Sequence, residues 1–169
     1  MNKTLSTLGA GLVAASALIV SASTGTAKAA ATPQCGNADL HASIRHADAA
    51  AGHEYFRLVL TNVSGHSCRT GGFGGLSFVG HGNGTQVGAA ADREGRARSL
   101  TVAPGHRVVS LVTQTDWGVY DKSECRPTHV DGYRVYVPNA TRSQFIRSPQ
   151  TACASTKVHL LSHGAFHRP

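Results

Sequence analysis

The chain of 169 residues is poor in the groups that usually announce a function. It has one methionine, one tryptophan and four cysteines, and charged residues make up only 15% of it. Its longest apolar run, Leu8 to Val20, spans 13 residues, short of the roughly 18 to 20 that cross a bilayer as a helix. No membrane span is expected. Met1 is the only methionine, which excludes a thioether copper(I) site elsewhere in the chain. No two cysteines have the close spacing of a zinc knuckle. Also missing are a Gly-x-Ser-x-Gly nucleophile elbow and the Gly-Lys-Ser/Thr ending of a phosphate-cradling loop. The densest basic stretch, Arg93 to Arg98, is interrupted by Glu94. It lacks the basic stripe with interleaved aromatics of a nucleic-acid binder, so no sequence-specific nucleic-acid partner is expected.

The first residues do carry a signal. Lys3 precedes the apolar run, and a small-residue stretch ends at Ala27-Lys28-Ala29. That order of charged, apolar and Ala-x-Ala segments is expected of a secretory signal peptide cleaved near Ala29. No twin-arginine pair precedes the run, and no cysteine stands at the cleavage point to take a lipid. Residues 30–169 then form one exported domain, large enough to bury a core. Without Lys3 and Lys28 its formal charge is 14 − 9 = +5, and a monomer is expected.

An even number of cysteines in an oxidising compartment reads as disulfides. Cys35, Cys68, Cys125 and Cys153 allow three pairings. The preferred one is Cys35–Cys68 with Cys125–Cys153, each closing a loop of about thirty residues for roughly 3 to 4 kcal/mol.

Strand signals dominate the remainder. Leu40, Ala42 and Ile44 alternate with polar residues, and Phe56, Leu58 and Leu60 share one face of a run rich in β-formers. Asp48 to Gly52 is expected as a loop, Asn83-Gly84 as a hairpin tip, and Pro104-Gly105 as a turn. Further strands are expected at Leu76–Val79, Leu100–Val102, His106–Thr113, Gly132–Val137, Gln144–Arg147 and Lys157–Leu161, with residues 85–98 as a mobile connection. Short strands with turns at regular intervals, and no helical period, predict an all-β fold, an antiparallel β-sandwich. The expected organisation is a signal peptide over 1–29, a flexible lead-in over 30–34, the sandwich over 35–162 and a histidine-containing tail over 163–169.

Several segments form a recognisable set. They are Gly52-His-Glu-Tyr-Phe-Arg-Leu-Val-Leu-Thr-Asn62, Ser64-Gly-His-Ser-Cys68, Gly72-Phe-Gly-Gly-Leu-Ser-Phe-Val79, Val102-Ala-Pro-Gly105, Cys125-Arg-Pro127 and Tyr133-Arg-Val-Tyr-Val-Pro138, with Cys35 and Cys153 at the ends. Together they resemble the actinobacterial domain-of-unknown-function family 4232, over roughly Cys35 to Leu161. The resemblance implies an immunoglobulin-like sandwich outside the cytoplasm and supplies no catalytic residues.

The functional candidates are few. Trp117 and Tyr120 lie in one loop, either as a ligand-binding tip or as a lid on the core. His159, His163 and His167, four apart, suggest metal capture of Zn²⁺ or Cu²⁺ by an extended tail; the plainer reading is a solvated terminus. No cofactor is expected. Asp116, Asp121, Glu124 and Asp131 read as solvated loop charges. The leading expectation is an exported non-catalytic module for an unknown cell-surface or extracellular ligand. Metal capture is the alternative, and a hydrolase ranks third, to be revived by a pocket with a hydrogen-bonded Ser-His pair.

Overall fold

The computed structural model describes residues 30–169, so the expected signal peptide over 1–29 lies outside the described residues. Eleven strands follow one another: β1 Leu40–Ala50, β2 His53–Asn62, β3 Cys68–Gly71, β4 Gly75–Gly80, β5 Thr85–Val87, β6 Asp92–Glu94, β7 Ser99–Val102, β8 Arg107–Thr115, β9 Pro127–Tyr136, β10 Ser143–Cys153 and β11 Leu161–Gly164. Between β8 and β9 lie a 3₁₀ turn, Trp117–Val119, and a single helical turn, α1, Lys122–Cys125.

The strands form a sandwich. One sheet has the order β1-β2-β8-β11-β6 and the other β10-β9-β4-β5, with β3 and β7 paired separately. All pairs are antiparallel except β11 with β6. The alternation in β2 has its expected consequence: Phe56, Leu58 and Leu60 are buried, as are Val108 and Val112 of β8. From the opposite sheet Leu76 and Phe78 of β4 and Tyr133 and Val135 of β9 enter the same core. Tyr133 is the link between the layers, its ring 5.5 Å from Phe56 and 5.3 Å from Phe78. Burying each such aliphatic or aromatic side chain contributes about 1.5 to 3 kcal/mol.

The disulfides are Cys35–Cys68 and Cys125–Cys153. The first draws the lead-in onto β3, where Arg69 accepts from the Cys35 amide and donates to the Pro33 carbonyl. Residues 33–34 are therefore paired backbone, and not the flexible segment expected of 30–34.

Other expectations are corrected as well. Residues 48–50 continue β1 past an irregularity between His46 and Asp48, and the reversal is a two-residue turn at Ala51-Gly52. Both residues have positive φ, 48° and 80°, as a type I′ hairpin turn requires. Residues 85–98 hold β5 and β6, pinned by buried Val87 and by the Ala91 amide on the Leu76 carbonyl.

The largest correction concerns residues 163–169. The expected strand at 157–161 begins only at Leu161, and β11 runs along β8 instead of trailing into solvent. Beyond it the Phe166 amide bonds the Gly72 carbonyl, and His167 exchanges both backbone hydrogen bonds with Val109. Leu161, His163 and Phe166 are all buried. Burial of these three side chains, with the ladder to β8, holds the C-terminal segment on the sheet.

Candidate functional site

The residues singled out from sequence do not form one site. Asp116 caps the 3₁₀ turn by accepting from the Gly118 amide at 2.6 Å, and its own amide bonds the Gly52 carbonyl. The turn is thereby fixed against the β1–β2 reversal. Trp117 and Tyr120 are half-buried and pack against the core cluster, which is the lid geometry, not that of a free tip.

The three histidines have three different environments. His159 is exposed and paired with Asp92 at 2.8 Å. His167 is exposed, its Nδ1 bonded to the Arg168 carbonyl. His163 is only 1% exposed. Among the described residues no group of three or more His, Cys, Asp or Glu side chains is placed to hold a metal ion. The four-residue spacing does not survive because β11 ends at Gly164 and the chain resumes pairing with β8 only at His167.

His163 has a different partner. The Ser110 hydroxyl donates to the Gly164 carbonyl at 2.6 Å, and its oxygen lies 3.3 Å from His163 Nδ1. Nδ1 is also 3.0 Å from the same carbonyl. A carbonyl only accepts, so Nδ1 is the donor to it, and Nε2 is buried without a hydrogen-bond partner. Burial, before any other cause, lowers the His163 pKa from its ordinary value. Phe73 packs edge-on against the imidazole at 6.0 Å. This is a hydrogen-bonded Ser-His pair, but Ser110 is 0% exposed and no substrate atom reaches it.

A second polar cluster, partly buried, spans the layers. Tyr133 donates to Gln114 Oε1, Gln114 Nε2 donates to Gln150 Oε1, and Gln150 Nε2 donates back to the Tyr133 hydroxyl. The ring closes on itself, and burial pushes the Tyr133 phenol up to about 12.

Two of the several surface concavities carry enough polar groups to consider. A cleft of about 690 Å³ at the β1–β2 end is lined by His46, Asp48, His53, Glu54, Gln114 and Asp116 among others. Its groups serve the hairpin: His46 pairs with Glu54 at 2.7 Å, His53 lies 3.2 Å from the Thr115 hydroxyl, and Asp48 accepts from the Ala49 amide.

The other is a groove of about 580 Å³ on the outer face of the four-stranded sheet. Register builds it. Ser77, Arg134 and Phe145 lie in one cross-strand row, and Val79, Gly132 and Arg147 in the next. Side chains alternate across a sheet, so these rows face outward while Phe78 and Tyr133 face the core. Gly132 leaves no side chain between Val79 and Arg147, and a Cβ there would collide with the Ile146 carbonyl. Asp131 and the hairpin tip Gly82-Asn83-Gly84 wall one end, tied together by the Gly82 amide donating to Asp131. Phe145 is 56% exposed. Arg134 donates to Gln86 Oε1 at 2.6 Å, and its guanidinium lies 5.6 Å from the centre of the Tyr136 ring. The groove combines an apolar platform with two guanidiniums, a carboxylate and an amide. Sequence reasoning missed it. The one local signal was Phe145 alternating with Gln144 and Ile146, which places a large apolar ring on the face opposite the core.

No curated protein and no solved structure matches the chain. The model of the family described as a domain of unknown function (DUF4232) matches residues 35–167, from the first disulfide cysteine to the last paired residue of the C-terminal segment, and the chain belongs to that family.

Proposed function

We propose that the protein is an exported, non-catalytic binding module that holds its ligand in the outer groove of the four-stranded sheet. The observation carrying this reading is Phe145, a large apolar side chain left 56% exposed directly across from Arg134. Exposed aromatics beside arginine are the composition of binding hot spots. Export is supported by the signal-like order of residues 1–29 and by two disulfides, which persist in oxidising compartments. None of the described helices is long and apolar enough to cross a membrane. The non-catalytic part of the reading is supported by the burial of the Ser110–His163 pair and by the structural use of the carboxylates around the β1–β2 cleft.

Co-sedimentation with isolated cell envelopes tests it, comparing the protein with Phe145→Ala. The expected result is binding that persists at about half-molar salt, where charges are screened beyond a few ångströms, and that falls at least about fivefold in the variant. Binding untouched by Phe145→Ala would overturn the assignment of the groove.

A further inference from the structure

We infer that the groove binds a carboxylate-bearing sugar polymer, a uronic-acid polysaccharide; the inference rests on the binding-module reading above. Phe145 supplies an aromatic face, whose negative quadrupole attracts the polarised C–H groups of a pyranose ring while excluding water from it. Arg147 follows two residues later on the same face of β10, about 6.6 to 6.8 Å along the strand. A ligand whose sugar ring stacks on Phe145 therefore has the Arg147 guanidinium within reach of its carboxylate.

The guanidiniums select the anion. A guanidinium presents a planar fork of donors that matches a carboxylate in a bidentate pair. Arg134 is held in place before any ligand arrives, by Gln86 on one side and the Tyr136 ring on the other. Its Nε is buried without a partner. A side chain so fixed loses little rotamer freedom on binding. Asp131 sets a limit on charge density, since its carboxylate repels a polyphosphate or nucleic-acid backbone packed with anions. Asp131 and Asn83 instead suit the hydroxyls of a sugar carrying one carboxylate per ring. The excess of Lys and Arg over Asp and Glu, 14 to 9 over residues 30–169, draws in such a polyanion from a distance.

The test is affinity electrophoresis of the protein through gels containing polygalacturonate or neutral dextran, with Phe145→Ala, Arg147→Ala and Arg147→Lys alongside. Melting temperatures of all variants show that each is folded, as expected of exposed positions. The inference predicts retardation by polygalacturonate at an affinity at least about tenfold above that for dextran, a step of about 1.4 kcal/mol. Phe145→Ala and Arg147→Ala each lose about tenfold, and Arg147→Lys recovers little because an ammonium lacks the fork. Absence of retardation overturns the inference, as does retardation that Phe145→Ala leaves unchanged, which is charge attraction alone. Envelope sedimentation separates the two levels. If envelope binding depends on Phe145 but polygalacturonate is not bound, the sugar class is wrong and the groove stands. If envelope binding also ignores Phe145, the broader reading falls.

Discussion

The Tyr133 hydroxyl donates to Gln114 Oε1 at 2.5 Å, joining β9 of one sheet to β8 of the other across the sandwich. Gln150, itself half-buried, closes the ring from β10, so the buried polar ends of Tyr133 and Gln114 are both satisfied. Tyr133→Phe keeps the ring packing but takes the donor from Gln114 Oε1, which is buried to 8% exposure, while Gln150 Nε2 keeps its contacts to Ser148. Leaving a buried polar group unpaired costs about 1 to 3 kcal/mol, and the variant should lose that much in denaturant unfolding. An unchanged midpoint would show that the ring is incidental.

The same phenol sets an alkaline limit. Its folded pKa, about 12, is above the ordinary 10.0. The stabilising contribution of the protonated form is complete below pH 10 and is lost as pH rises from there toward 12. In an ultraviolet absorbance titration, one of the four tyrosines should ionise last and together with unfolding. Four tyrosines titrating together in the folded protein would contradict this.

His163 sets the corresponding acid limit. Its folded pKa is lowered from 6.5, so the unfolded chain takes up the proton first as pH falls. Stability from the neutral imidazole is complete above pH 6.5 and declines below it. Arg93, across the β11–β6 pair, works against the cation and Glu94 for it. Melting temperature should fall on acidification through this range in the native protein and much less in His163→Gln. Parallel curves for the two would place the sensitivity elsewhere.

Ala51 occupies a left-handed conformation at φ 48° with no glycine to ease it. That conformation costs a residue with a Cβ about 1 to 2 kcal/mol, against a smaller entropic cost for glycine. Ala51→Gly should therefore raise stability by about 0.5 to 1 kcal/mol in denaturant unfolding. A loss of stability would mean that the turn conformation is different.

Trp117 is half-buried on the core cluster. Trp117→Ala should cost about 2 kcal/mol, below the range for fully buried aromatics, and should leave envelope binding intact in the folded fraction. Lost binding at unchanged stability would return Trp117 to the role of a binding tip.

These features differ in how openly the sequence displays them. Strands with a hydrophobic face of their own, such as Phe56-Arg-Leu-Val-Leu60, were legible, and so was the Pro104-Gly105 turn, where Gly105 has φ 74°. The disulfide pairing followed from closing the two shorter loops. β11 was hidden because His163 and Gly164 interrupt its apolar pattern, and its burial depends on β8, some fifty residues upstream. β6, Asp92-Arg-Glu94, is exposed throughout and exists only because β11 offers it a parallel partner. The groove was illegible for a related reason. Phe145 meets Arg134 only through the β9–β10 register, which shifts between Arg147 and Gln150, and no local pattern encodes that shift.

The most direct test of the groove is amide NMR of the folded protein titrated with galacturonate oligomers. The account predicts that shifts concentrate at Arg134, Phe145 and Arg147 and at Gly82 to Gly84, with the β1–β2 cleft silent. Shifts centred on Asp48 to Glu54, shifts scattered over the basic surface, or none at all would contradict it.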